Sequence, residues 1–246
     1  MCDKCGCGKA GAARRTIAVE ERVLAKNDAI ADAIRHQLAH RHTLMINLLG
    51  SPGSGKTMLL ERSLPRLMKE VRIAVLEGDV QTRYDAERLK KAGVPAVQIN
   101  TGGACHLDAA SVQQALGQEP FVSAQLVVIE NVGNLVCPSL FDLGEDAKVV
   151  ALSVTEGEDK PEKYPAAFAS ASALVVTKTD LLPHLVFDLG RCKEAAWQVH
   201  PGLPIMTASA LSGDGIDSWL AWLRHQLDHK AGRPHDHGNG IQPHAH

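Results

Sequence analysis

The sequence predicts an α/β chain: a mostly parallel sheet with helices on both faces, preceded by an N-terminal helix. Seven short runs rich in Val, Ile and Leu recur between residues 43 and 228, namely TLMINLL, RIAVLEGD, VPAVQIN, AQLVVIEN, KVVALSVT, SALVVTKTD and LPIMTAS. Helical patterns separate most of them, and such alternation marks a parallel sheet buried on both sides. A glycine-rich stretch follows the first run and opens a helical one.

Taken in order, residues 1–15 are a Cys, Gly, Lys and Arg segment without apolar period, read as a flexible, cysteine-rich metal-binding arm. Over residues 16–41, Val19, Val23, Ile30, Ile34 and Leu38 recur mostly at three-, four- and seven-residue intervals, which predicts an amphipathic helix. Residues 42–228 form the sheet domain. Residues 229–246 are Gly, Pro and His with almost nothing to bury, so they are expected to be disordered. With 246 residues, 45% hydrophobic and 22% charged, the chain can build one sizeable core. A net charge of −2 excludes an electrostatic case for nucleic acid or a membrane surface as the main partner. No apolar run approaches the ~18 residues that span a bilayer, and the polar, cysteine-rich start is not a secretory signal. A cytoplasmic setting is expected, where persistent disulfides are rare.

The stretch GSPGSGKT, Gly50 to Thr57, matches G-x-x-x-x-G-K-[ST] in full, between a strand and a helix, and makes the domain a P-loop NTPase. Gly50, Ser51, Gly53, Ser54 and Gly55 form the loop, whose backbone N–H groups curl around phosphate oxygens at the positive end of a helix. Lys56 is expected to reach the β and γ phosphates, and the Thr57 hydroxyl to hold Mg²⁺. Phosphoryl transfer also needs carboxylates near the metal. Asp79 ends the second strand, Asp85 lies just beyond it, and Glu130 ends the fourth strand in IENVG. Open α/β sheets bind ligands at this carboxyl edge. Glu130 and the backbone of Gly133 occupy the place of the Asp-x-x-Gly of many nucleotide hydrolases.

The run VVTKTD, with Lys178 and Asp180, follows the Asn-Lys-x-Asp pattern that reads guanine. A carboxylate accepts from both N1–H and N2–H of guanine, a pair adenine lacks, while the Lys stem lies along the ring. Thr177 stands where Asn is usual and can still tether the phosphate loop by hydrogen bonding. Ser209 and Ala210, in TASALSGDG, resemble the segment that offers a backbone N–H to guanine O6. GTP is therefore the expected nucleotide, with GDP as product.

Two further clusters carry metal chemistry. Cys105 and His106 lie after the third strand and Cys137 after the fourth, and thiolate and imidazole are ligands for Zn²⁺ or Ni²⁺. Residue chemistry alone leaves open whether they are one ligand set or unrelated loop residues. Adjacent residues do not easily chelate one ion together, so two chains meeting across an axis would complete a shell. At the N-terminus, Cys2, Cys5 and Cys7 can wrap one ion with three thiolates, the α-amine adding a fourth donor, which suits square-planar Ni²⁺ or tetrahedral Zn²⁺. His235, His237, His244 and His246 could add weak nickel buffering.

The strings GSPGSGKT, EGDVQTRYDAERL, INTGGACHLDA, IENVGNLVCP and FDLGE together resemble the hydrogenase nickel incorporation GTPases, the HypB family, over nearly the whole chain. CHLDA and ENVGNLVCP are far more specific than the P-loop. The resemblance implies a GTP-dependent homodimer in which Cys105, His106 and Cys137 form a metal site near the switch segments. It assigns Asp79, Asp85 and Glu130 to the switch and Mg²⁺ region, and CDKCGC to the cysteine-bearing N-terminus that some members carry. It implies slow GTP hydrolysis coupled to nickel delivery, with hydrogenase accessory proteins and the hydrogenase large subunit as partners. Thr177 departs from the family's usual Asn. The alternatives are a urease-type or other nickel accessory GTPase, or a nickel storage protein with a secondary nucleotide site.

Overall fold

The computed structural model describes residues 7–79, 84–101, 103 and 105–233, with only the backbone for 7–21 and 79. In chain order the elements are α1 (Cys7–His40), β1 (Leu44–Leu49), α2 (Lys56–Leu67), β2 (Ile73–Asp79), α3 (Tyr84–Lys91), β3 (Ala96–Asn100), α4 (Ala109–Leu116) and β4 (Leu126–Glu130). There follow α5 (Cys137–Leu140), β5 (Ala147–Ser153), α6 (Lys160–Lys163), α7 (Pro165–Ala169), β6 (Ala173–Thr177), α8 (Leu189–Val199), β7 (Ile205–Ala208) and α9 (Ile216–Lys230). A 3₁₀ turn, Thr179–His184, leads out of β6.

Each of the seven predicted strands is present. They pair in the order β3-β2-β4-β1-β5-β6-β7, every pair parallel. Because side chains alternate across a strand, Leu44, Ile46 and Leu48 of β1 join a core with α2, α3 and α9, while Met45 joins the opposite core with α1 and α4. A third cluster packs β5 and β6 beneath α7 and α8. Both faces are thus covered, which is why β1 reads as an uninterrupted apolar run apart from Asn47.

Helix α1 begins at Cys7, ahead of the Thr16 start that the apolar spacing predicts. The added turns are Ala-rich and hold no proline, and alanine has the highest helix propensity. Cys2 and Cys5 lie outside the described residues, as do 234–246. The helix docks through its second half: Ala31, Ile34 and Leu38 are fully buried, whereas Val23 is 54% exposed. The predicted apolar stripe therefore meets the core only from Asn27 onward. At the other end, α9 runs to Lys230, past the expected boundary at 228, and Lys230 Nζ pairs with Asp146 Oδ1 at 2.5 Å.

The seat of α1 is the turn at Gly144, where φ is +80°. A Cβ there would lie 2.6 Å from Ala31 O and 2.8 Å from Ile34 Cβ, so the helix approaches to a distance that only glycine allows. Gly144→Ala is expected to destabilise the chain by about 2 kcal/mol or more, from the strained φ and the displaced helix together. A fall in the urea midpoint at constant slope would register this; an unchanged midpoint would mean that α1 yields without cost.

Candidate functional site

The phosphate loop emerges from the centre of the sheet. Gly55 caps α2 with a φ of 87°, turning the chain from strand into helix. Lys56 is 7% exposed, and its Nζ donates to Gly50 O at 3.1 Å and Ser51 O at 3.4 Å, so the ammonium is curled back over its own loop. Burial lowers the Lys56 pKa, opposed by the nearby carboxylates of Glu130, Glu156, Asp85 and Glu77.

The parallel register sets Leu48 of β1 against Glu130 of β4, which brings Glu130 beside the loop. Thr57 Oγ1 donates to Glu130 Oε1 at 2.6 Å. Burial raises the Glu130 carboxyl to about 7, against the pull of the Thr57 hydrogen bond and the Lys56 charge. Its second oxygen, Oε2, is buried without a hydrogen-bond partner among the described residues. These groups line a cavity of about 480 Å³ that also includes Glu77, Asp85, Arg88, Asn131 and Gly133. A buried hydroxyl and carboxylate with an unmatched oxygen, facing an open cavity, fit a hard cation such as Mg²⁺.

A second cavity, about 240 Å³, lies beyond Gly55 and is lined by Thr177, Lys178, Asp180, Leu181, Ala210 and Leu211 among others. Thr177 Oγ1 donates to Ser54 O at 2.5 Å, so the threonine performs the tether expected of it. Lys178 has a left-handed φ of 58°, and its Cε passes 3.7 Å from the point where a Cβ on Gly55 would sit. Ser209 uses both its N–H and its hydroxyl within the protein. Its N–H is donated to Asp214 O at 2.8 Å rather than left open toward the cavity. Its hydroxyl donates to Asp180 Oδ1 at 2.5 Å and orients the carboxylate expected to read the base. Ala210 remains in the cavity wall.

Cys105, His106 and Cys137 converge, with one ligand atom from each lying within 4.8 Å of the others. Cys105 Sγ is 3.7 Å from His106 Nδ1, so these neighbouring side chains turn toward a common point within one chain. The His106 ring stacks on Phe141 with centroids 3.8 Å apart and planes at 22°. Burial lowers the His106 pKa, which favours the neutral ring that binds metals. The Cys105 thiol is raised, first by its hydrogen bond with Cys137 and then by burial. Cys192 is fully buried inside the α7 and α8 core, a packed thiol pushed up to about 11 by burial.

Residues 44–207 match the CobW/HypB/UreG nucleotide-binding domain. The chain is 52% identical over 213 residues to the hydrogenase maturation factor HypB of Escherichia coli K12, covering 87% of this chain and 73% of that protein. The chain belongs to the HypB branch of the CobW/HypB/UreG family. Among solved structures, HypB from Archaeoglobus fulgidus superposes with a TM-score of 0.78 at 40% identity, covering 83% of this chain and all of that one. HypB from Helicobacter pylori in complex with nickel superposes with the same score at 36% identity, covering 87% and 100%.

As a HypB-family member the chain carries site residues that motif reading did not single out. Glu77 is 3% exposed, lines the phosphate cavity and pairs in register with Glu130. The period of two that links it to Asp79 along β2 is the signal that could have found it. Asp79 closes the strand opposite Asn100, and its side chain lies outside the described residues. Asp85 is present in the cavity wall, where Arg88 Nη1 reaches its Oδ1 at 3.3 Å and Arg88 Nη2 reaches Glu61 Oε2 at 2.7 Å. An arginine therefore borders the cavity beside the phosphate loop. Behind Glu130, Asn131 Nδ2 donates to Asn47 Oδ1 at 3.0 Å, and Asn47 Nδ2 donates to Glu145 Oε1 at 3.1 Å.

The raised Glu130 carboxyl gives a signed prediction. The unfolded chain ionises this group near its ordinary 4.5, while the fold keeps it neutral up to about 7. Its favourable contribution is complete below pH 4.5 and is lost as pH rises through about 7, at up to ~1.4 kcal/mol per pH unit. Nucleotide- and Mg²⁺-free protein should weaken across that window in urea unfolding, and Glu130→Gln should flatten the slope. Parallel profiles for the two proteins would count against a neutral Glu130.

Proposed function

We propose that the chain is a GTP-hydrolysing metallochaperone that carries nickel to the large subunit of [NiFe]-hydrogenase, acting as a dimer whose nucleotide state gates metal release. The observation that carries this reading is one continuous segment. Glu130 accepts from Thr57 at the end of the phosphate loop, Gly133 packs on that loop, and Cys137 is a metal-ligand candidate. The likeness to hydrogenase maturation factors and to a nickel-bound relative supports hydrogenase as destination and nickel as cargo.

In this reading the backbone of Gly53 to Lys56 and the Lys56 ammonium bind the β and γ phosphates, which requires Lys56 to leave the Gly50 and Ser51 carbonyls. Thr57 and Glu130 would hold Mg²⁺, which draws charge from the phosphate oxygens. Asp79 and Asp85 orient the water that attacks the γ-phosphorus. Asp180, held by Ser209, selects guanine, and the Lys178 stem covers the ring. Cys2, Cys5 and Cys7 form the loading site of the N-terminal arm, able to take Ni²⁺ or Zn²⁺, and α1 joins that arm to the body. Cys105, His106 and Cys137 supply three donors, leaving a fourth position for a second chain, a water or an incoming acceptor.

Two measurements test the reading. GTP should be hydrolysed slowly by the full chain and not by Lys56→Ala; undetectable hydrolysis in both would favour storage over switching. Nickel retained by the Cys105, His106 and Cys137 set should differ between GDP and a non-hydrolysable GTP analogue. Equal retention in the two states would remove gating, since a ligand with equal affinity for both states shifts nothing.

A further inference from the structure

Asn27 sits on α1, 6% exposed, far in sequence from every motif. Both ends of its carboxamide are used. Nδ2 donates to Asp142 O at 2.7 Å, and Oδ1 accepts from Ala109 N at 2.9 Å. Ala109 opens α4 directly after the Cys105–His106 loop. Its N–H is one of the first-turn donors that a helix cannot satisfy internally. The Asp108 side chain caps Ser111 N instead, at 2.8 Å. Asp142 follows Phe141, the ring on which His106 stacks, and ends the segment that begins at Cys137.

One amide group thus ties together the far ends of the two loops that carry the ligand candidates. The job needs a donor and an acceptor on one short side chain. Aspartate keeps the acceptor but cannot donate, and alanine has neither. The same helix makes a second, chemically different contact with the segment: Arg35 holds the Asp142 carboxylate with Nη2 at 2.9 and 2.8 Å from its two oxygens. Burial pushes the Asp142 carboxyl up, but the Arg35 hydrogen bond and the Gly144 N–H outweigh it and leave it lowered.

We propose that Asn27 is a positioning residue for the Cys105, His106 and Cys137 metal site, fixing the spacing of its two loops through the N-terminal helix. The inference rests on the reading of those three residues as a metal site. Groups behind a ligand shell typically change metal affinity by 10–100-fold when removed. The natural background for the test is the full chain with Cys2, Cys5 and Cys7 each changed to Ser, so that nickel titrated against a competing chelator reports the loop site. In that background Asn27→Ala should weaken nickel binding about tenfold or more, at the lower end of that range. Asn27→Asp, which keeps the bond from Ala109 N, should lose less. Arg35→Met, which weakens the docking of the same helix without touching either amide bond, should lose least. GTP affinity should be unchanged in all three, and thermal unfolding recorded for each identifies any variant that fails to fold. If Asn27→Ala does not fold, Asn27→Asp against Arg35→Met decides. Unaltered nickel affinity in the Asn27 variants, or equal losses in the Asn27 and Arg35 variants, would overturn the inference. If the parent's nickel binding proves insensitive to Cys105→Ala, it is the metal-site reading that fails.

Discussion

The position of β1 at the centre of the parallel sheet is the constraint on which the site depends. Its neighbours are β4 on one side and β5 on the other, and the register sets Leu48 beside Glu130 and Leu49 beside Val150. The phosphate loop therefore emerges between two strand ends that cannot shift independently. A slip of one residue would exchange the faces of Met45 and Ile46, both fully buried in different cores, so the apolar pattern itself holds the register. That register brings Thr57 to Glu130, Ser54 to Thr177 and Asn47 to Asn131, all polar pairs that fail at an ångström's displacement.

The electrostatics follow from this crowding. Lys56, Glu77 and Glu130 are each less than 8% exposed and belong to one cavity wall. Taking charges out of water is costly unless they are matched, and here the matches are incomplete: a lysine satisfied by neutral carbonyls and a carboxyl whose pKa burial raises to about 7. A polyphosphate with its magnesium would supply both missing partners at once. Binding energy is then available from groups the fold has already desolvated, and by linkage a ligand that binds only the folded chain adds to its stability.

The elements legible in the sequence were those whose signal is contiguous. Seven strands show as short β-rich runs, and GSPGSGKT and TKTD carry their partners within a few residues. The CHLDA and VGNLVCP strings pointed to metal chemistry, yet their convergence was not derivable from spacing, because it depends on how two crossover loops fold over one edge. Pairings of long sequence separation were illegible for the same reason. Asn27 looks like one more polar residue in a helix until Ala109 and Asp142 are beside it. Asn47, in an otherwise apolar strand, was a visible anomaly whose partners Asn131 and Glu145 only the fold supplies. The motif analogy placed a backbone N–H for the base around Ser209 and Ala210 without choosing between them, and only the fold shows that the Ser209 N–H is spent on Asp214 O.

Gating of the metal by nucleotide, as proposed, requires a path by which the γ-phosphate alters three side chains at the sheet edge. The segment from Glu130 to Asp142 has the mechanical character for it. Near the phosphates it abuts the loop: Gly133 lies so close to Pro52 that a Cβ would come within 2.9 Å, and Gly50 bridges to Asn134. Asn134 Oδ1 then accepts from Val136 N at 2.8 Å, and Ser139 Oγ donates to Val136 O at 2.8 Å, so the turn carrying Cys137 moves as a unit. At its far end Asn27 and Arg35 hold Asp142 still. A push at Gly133 must be absorbed between a driven end and an anchored end, and Cys137 lies between them. Cys105 and His106 lie on the other loop, whose far end is held through Ala109, with the His106 ring stacked on Phe141. In that proposal the sulfur of Cys137 would be the donor whose distance from the other two changes with the nucleotide, and opening those two edges of the triangle would weaken a three-donor site.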